Sequence, residues 1–286
     1  MTPSPLQRIA RSSGTQKILA SPLAVVAAFP FRLAAVTRVN AHAAAAGARW
    51  LFSSRENTNY TYDLTPRNRE HLAWFVANLA GIETPVARSY IEEVLGDTEL
   101  SSHVADTMAT SSLRWLADRQ ARFGRRIGWY ALIRATKPKH VVETGTDKGL
   151  GSIVIAAALL KNGSGRLTTI DINPASGYLI SGRYADVTNR VIGDSVASIA
   201  DLTAVNLFIH DSDHSADYEA KEFDAVESKL APKAIVLSDN SHNSESLPAW
   251  AEKTGRQFIF FDERPDGHWY PGAGIGAAFS ARVAKS

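Results

Sequence analysis

Two runs of this chain carry acids and amides at the ends of apolar segments. Val205-Asn206-Leu207-Phe208-Ile209-His210 leads into Asp211-Ser212-Asp213-His214, and Ala234-Ile235-Val236-Leu237-Ser238 leads into Asp239-Asn240-Ser241-His242. Each apolar run has the length of a buried strand, which puts Asp211, Asp213, Asp239 and Asn240 at strand ends. One such residue reads as a turn cap. Four of them on two strands, with histidines alongside, read as a site. Oxygen ligands of this kind suit a hard divalent cation such as Mg²⁺. A third run, KHVVETGTDKGLGS at 139–152, is a strand closed by Glu143, a turn holding Gly145, Gly149 and Gly151, and a helix opening at Ser152. A dinucleotide fingerprint fails here, because Val154 stands where the third glycine should be, and no lysine follows the glycines as a phosphate loop needs. What remains is E-x-G-x-x-x-G. An acid at that strand tip is a poor neighbour for a pyrophosphate and a good one for a cation.

Alternating strands and helices must position these residues. After the first helix, Arg166–Ile170 reads as a second strand ending in Asp171, twenty residues beyond Gly151. An acid there can accept hydrogen bonds from both hydroxyls of a ribose, or it can cap a turn. Val191–Ser195 reads as a third strand containing Gly193-Asp194, where Asp194 is also a possible N-cap for a helix from Val196. Phe258–Phe261 and Gly274–Phe279 read as a closing pair. The loop between them, DERPDGHWYPGAG, brings His268, Trp269 and Tyr270 either to an acceptor or over the sheet edge. The pattern is a doubly wound α/β sheet, which binds ligands at the carboxyl ends of its strands.

The E-x-G-x-x-x-G turn resembles the first motif of the class I S-adenosylmethionine (SAM)-dependent methyltransferases. FIHDSDHS with VLSDNSHNS resembles the paired motifs of the macrocin-type and cephalosporin-biosynthesis-type methyltransferases, and more distantly the catechol and caffeoyl-CoA O-methyltransferases. The resemblance covers about residues 126–280. It implies a Rossmann-like seven-stranded sheet of order 3-2-1-4-5-7-6 with the last strand antiparallel. It also implies a SAM site at Glu143, Gly145, Thr146, Gly149, Ser152, Asp171, Gly193, Asp194 and Asp211, with Asp194 towards the adenine. By the same resemblance Asp211, Asp239 and Asn240 are metal ligands and Asp213 is the general base. Asn240 departs from the sugar-methylating relatives, which place an aspartate there, and matches the Asp-Asn pair of the catechol-type enzymes. Those enzymes put a lysine base at the place of His214, so Asp213 and His214 are both candidate bases. Chelation would lower the pKa of an acceptor hydroxyl, and a carboxylate or imidazole would then take its proton.

The 286 residues suffice for one large α/β domain and an accessory segment. There is no cysteine, which excludes disulfides and thiolate metal sites. Of the 31 Lys and Arg, seven lie within residues 1–55 (Arg8, Arg11, Lys17, Arg32, Arg38, Arg49, Arg55), where there is no acid. The other 24 face all 29 acids, so the body is mildly acidic. An acidic body with no basic stripe and no target-base motif disfavours a nucleic-acid substrate. The uncharged run from Ile18 to Phe31 is too short to span a bilayer. The arm is read either as a basic segment on an anionic membrane surface or as a helix packed on the domain or on a second subunit. Ala41–Phe52 reads as helix. Residues 53–62 read as a loop. Thr65-Pro66 and Thr84-Pro85 open helices ending at Gly81 and Gly96, and Ser112–Ala135 reads as a third helix broken at Gly124.

The expectation is thus an arm (1–55), a helical lid or lead-in (56–104) and a SAM-dependent methyltransferase domain (105–286). The domain methylates a hydroxyl of a sugar, glycolipid or polyketide-like acceptor with Mg²⁺, in the cytoplasm or at the inner membrane surface, as a monomer or homo-oligomer. The alternatives are a metal-independent SAM methyltransferase and a catalytically silent, membrane-associated adenosyl-binding protein.

Overall fold

The computed structural model describes residues 14, 17, 21, 23–56, 60–118 and 120–280. Most of the basic arm before Leu23, and the last six residues, lie outside them. The chain divides into two compact units. One is the arm with the short segment Gly267–Tyr270, and the other is the remainder from Ser54.

In the first unit a single helix, α1 (Leu23–Ser53), runs through both the apolar and the alanine-rich stretches and accommodates Pro30. It exposes Val25, Phe29, Leu33, Val36 and Phe52. Trp50 packs edge-on against Trp269, with ring centroids 5.3 Å apart. His268 and Trp269 therefore stack within this unit.

The second unit begins with helices α2 (Pro66–Ala80), α3 (Thr84–Leu95), α4 (Thr98–Thr110) and α5 (Arg126–Thr136). Thr65 caps α2 by accepting the Asn68 N–H, with Pro66 at the first helical position, as the Thr-Pro signal implies. The expected boundary at residue 105 falls inside α4. Of the helix expected over Ser112–Ala135 with a break at Gly124, only the part beyond the break forms, as α5. Gly124 takes the left-handed backbone that makes the break, and residues 112–117 are turns and bends.

The sheet strands are β1 (His140–Thr144), β2 (Arg166–Asp171), β3 (Thr188–Ile192), β4 (Val205–His210), β5 (Leu230–Asp239), β6 (Gln257–Asp262) and β7 (Gly274–Phe279). Helices α6 (Leu150–Asn162), α7 (Ser195–Ile199), α8 (Ala216–Glu227) and α9 (Ser246–Lys253) alternate with them. The order is β3-β2-β1-β4-β5-β7-β6, with β7 antiparallel to both neighbours, as the resemblance implied. Central β1 is buried at every residue, its polar His140, Glu143 and Thr144 included. Val142, Phe208, Val236 and Ala278 form one row across the sheet. They bury against Phe223, Val226, Leu247 and Trp250 of α8 and α9.

Register then fixes the site. Thr144, His210 and Ser238 are the last row paired across β1, β4 and β5. Gly145, Asp211 and Asp239 follow them by one residue, and Asp171 ends β2 beside them. All face the carboxyl edge.

Candidate functional site

The turn after β1 is held closely against β4. Gly145 donates its N–H to Ile170 O at 2.8 Å and takes a φ of +85°. A Cβ there would stand 1.9 Å from the Asp211 carbonyl oxygen, so only glycine lets the two strand tips meet. Asp171 is fixed in the same place. Its Oδ2 accepts the Asp147 N–H and its Oδ1 the Asn173 N–H, both at 2.8 Å. Each oxygen keeps a second lone pair.

Gly145, Asp147, Asp171, Gly193, Asp194, Asp211, Asp213 and Tyr218 line a cleft of about 490 Å³ at these tips, within the ordinary size of a small-molecule site. Asp194 caps a helix and also lines the cleft. Its Oδ1 caps α7 through the Ala197 N–H at 2.8 Å, while its Oδ2 accepts the Tyr218 hydroxyl at 2.9 Å beside the cleft. A larger groove of about 1120 Å³ lies between α2 and edge strand β6 and contains none of the expected site residues.

Glu143, Thr146, Gly149 and Ser152 do not line the cleft. Glu143 is buried beneath the turn, where its Oε2 accepts the Ser152 and Thr169 hydroxyls. Gly151 permits this, since a Cβ would meet Glu143 Oε1 at 2.3 Å and the Trp129 ring at 2.8 Å. Burial raises the Glu143 carboxyl to about 7, against the pull of the Ser152 and Thr169 hydroxyls and of Arg126. Its role here is to support the loop from below.

The metal-ligand expectation meets a different arrangement. Asp211, His214 and Asp239 do converge, each with a ligand atom within 4.8 Å of the others. The guanidinium of Arg125, however, engages both oxygens of Asp239 from Nε and Nη2. Burial disfavours the charged form of Asp239, but Arg125 outweighs it and holds the group at about 2. Burial and the neighbouring Asp239 charge push Asp211 well up. Asn240 takes a left-handed backbone (φ 53°), and its Nδ2 lies 2.8 Å from His214 Nε2. As placed, Asp239 already gives one lone pair on each oxygen to a cation, so a divalent ion at Asp211 and Asp239 would compete with the Arg125 guanidinium for the same carboxylate. Of the candidate bases, Asp213 lines the cleft and His214 lies behind it. Asp213 Oδ1 accepts the Ser215 N–H at 2.9 Å, which lowers its pKa, and burial lowers that of His214.

Several site residues carry no signal in the sequence. Arg125 and Glu263 belong to a buried network described below. Glu222, on α8, is fully buried and accepts hydrogen bonds from Thr144, Ser195 and Ser212, and pairs with His210 Nδ1 at 2.7 Å. Burial works against its ionisation, and these bonds overcome it and lower the pKa. Glu222 thus ties the tips of β1 and β4 to α7 and α8. The i, i+3, i+7 spacing of Glu219, Glu222 and Val226 is the only local hint that acids lie on the buried face of α8.

Residues 142–241 match a family described as a methyltransferase domain. The match runs from β1 to just beyond the Asp239-Asn240 pair, and so takes in all four strand tips at the cleft. No curated protein matches the sequence. Among solved structures, an O-methyltransferase from Bacillus cereus in complex with SAH is similar at 14% identity with a TM-score of 0.50, covering 68% of this chain and 96% of that one. A methyltransferase from Geobacter sulfurreducens (18% identity, TM-score 0.49, 68% and 96% covered) is also similar. So is TomG from Streptomyces achromogenes, an O-methyltransferase of tomaymycin synthesis in complex with SAM (17%, 0.48, 65% and 91%). The likeness to the Bacillus cereus protein is one of fold.

Proposed function

We propose that this protein is a SAM-dependent O-methyltransferase acting on a hydroxyl of a small molecule, of the sugar, glycolipid or polyketide-like class. The observation that carries the reading is the cleft itself, where Asp171 and Gly145 meet at the carboxyl ends of β1 and β2 within the segment matched to a methyltransferase domain. The remaining lone pairs of Asp171, which lines the cleft, suit a ribose diol, and the bare backbone of Gly145 admits a ligand close to the chain. Asp194 and Tyr218 form the wall beyond the ribose, where an adenine would lie. SAM, when bound, supplies a methyl group on a sulfonium, which passes to the acceptor oxygen as the C–S bond breaks.

The chain's own part is to orient the acceptor and take its proton. Asp213 is assigned as the proton acceptor because, of the two candidate bases, it is the one that lines the cleft. His214 holds Asn240 behind it. The test is SAH release from SAM with a panel of hydroxyl-bearing acceptors. Asp213→Asn should lose at least tenfold in kcat while binding SAH normally. Failure of the wild type to bind SAH at millimolar concentration would reject the reading.

We further propose that α1 rests on an anionic bilayer. No helix among the described residues is long and apolar enough to cross a membrane. Exposed Val25, Phe29, Leu33 and Val36 recur at helical spacing on α1, and residues 1–55 are basic without a single acid.

A further inference from the structure

Arg125 is buried in the turn before α5, with its side chain only 8% exposed against a fully buried Asp239. Four of its five N–H donors are matched. Nε and Nη2 donate to the two oxygens of Asp239, and Nη1 donates to the Tyr62 hydroxyl at 2.8 Å and to Glu263 Oε2 at 3.3 Å. Tyr62 donates in turn to Glu263 Oε1 at 2.7 Å, and Glu263 Oε2 accepts the Ala273 N–H at 3.0 Å. The guanidinium is therefore locked by the loop before α2, the end of β5 and the loop between β6 and β7. A second guanidinium stands close by, with Arg126 Nη2 3.9 Å from Asp211 Oδ2. Two carboxylates at the strand tips thus already face two fixed positive charges. A divalent ion held by Asp211, Asp239 and Asn240 would have to enter beside both, sharing each Asp239 oxygen with a guanidinium N–H and bringing two more positive charges against the two already there.

We propose that Arg125 is the resident cation of this corner of the site. It brings Asp239 the charge that a divalent ion would otherwise supply, and the protein binds its ligand without a metal. The part concerning ligand binding rests on the transferase reading, whereas the occupancy of Asp239 does not. Arg125 does not line the cleft and acts through Asp239, as a positioning residue.

The test uses the full chain and Mn²⁺ as the probe, read by its electron paramagnetic resonance signal, with SAH binding followed separately by calorimetry in EDTA. The wild type should leave Mn²⁺ free up to about millimolar concentration. Arg125→Met should gain one Mn²⁺ with at least tenfold tighter binding, abolished again by Asp239→Asn, and Arg125→Lys should exclude the ion as the wild type does. One Mn²⁺ bound to the wild type and lost in Asp239→Asn would overturn the proposal, and this arm decides even if Arg125→Met does not fold. A folded Arg125→Met variant that binds no Mn²⁺ would also overturn it, since the oxygens would then be no cation site with or without the arginine. SAH binding in EDTA separates the two readings. Its absence, restored by Mg²⁺, overturns the inference alone, and its absence under all conditions overturns the transferase reading.

Discussion

Glu143→Gln offers a clean test of how the glycine turn is supported. Burial lifts the Glu143 carboxyl to about 7 from an ordinary value of 4.5. Below the unfolded value both states are protonated and the site costs nothing. Between the two values the unfolded chain releases its proton first, so the unfolded state gains and stability falls as pH rises. Above the folded value the cost is complete. At 1.36 kcal/mol per unit, the difference amounts to about 3 kcal/mol by pH ~8. Glutamine is nearly isosteric, cannot ionise, and can still accept the Ser152 and Thr169 hydroxyls. Its extra amide hydrogens impose a cost of about 1 kcal/mol at every pH. The difference between variant and wild type should therefore shift by about 3 kcal/mol in the variant's favour between pH ~4.5 and ~8. Urea unfolding monitored by tryptophan fluorescence at several pH values reads it directly, since every other titrating group is common to both proteins. A difference that stays constant over that range would refute a buried carboxyl with a raised pKa at the end of β1.

Three further outcomes follow from the same geometry. Gly145→Ala places a methyl group 1.9 Å from Asp211 O. It should cost roughly 2–4 kcal/mol of stability, seen in chemical denaturation, and abolish SAH binding as the β1 and β4 tips part. Tyr62→Phe removes the hydroxyl that joins Arg125 to Glu263, and should lower stability by about 1–3 kcal/mol because two buried charged groups each lose a partner. Full-length protein should float with vesicles containing anionic lipid at low salt, fail to float with neutral vesicles, and be released at about 0.5 M salt. Flotation indifferent to lipid charge would argue against an electrostatic role for residues 1–55.

The central sheet was legible because its signals are local. The apolar run at β1, the glycines after it and the acids closing β2, β4 and β5 each lie within a few residues of one another, and parallel register brings the tips together without further information. Strand β3 was expected at 191–195 and stands at 188–192, because Thr188-Asn189-Arg190 lies on an exposed edge and has no apolar run to mark it. Glu143 was expected beside the ligand, since a strand-tip acid looks the same whether it faces the cleft or the helix beneath. What decides is the close approach of Gly151, a contact between elements. Arg125 had no signature at all. Its partners lie 63, 114 and 138 residues away, and a lone arginine before a helix says nothing of where its fork will settle. The metal-ligand pattern Asp211, Asp239 and Asn240 was correctly placed at the strand tips, but its electrostatics depend on that remote side chain.

The most direct measurement of the central claim is calorimetric titration of SAH into the wild type and Asp171→Ala. Binding in the micromolar range is expected for the wild type. Loss of the charge-assisted hydrogen bonds to the ribose diol, worth about 1–3 kcal/mol, should weaken it by roughly ten- to hundredfold in the variant while the fold is retained. No heat with the wild type, or equal affinity in both proteins, would contradict an adenosyl site at the ends of β1 and β2.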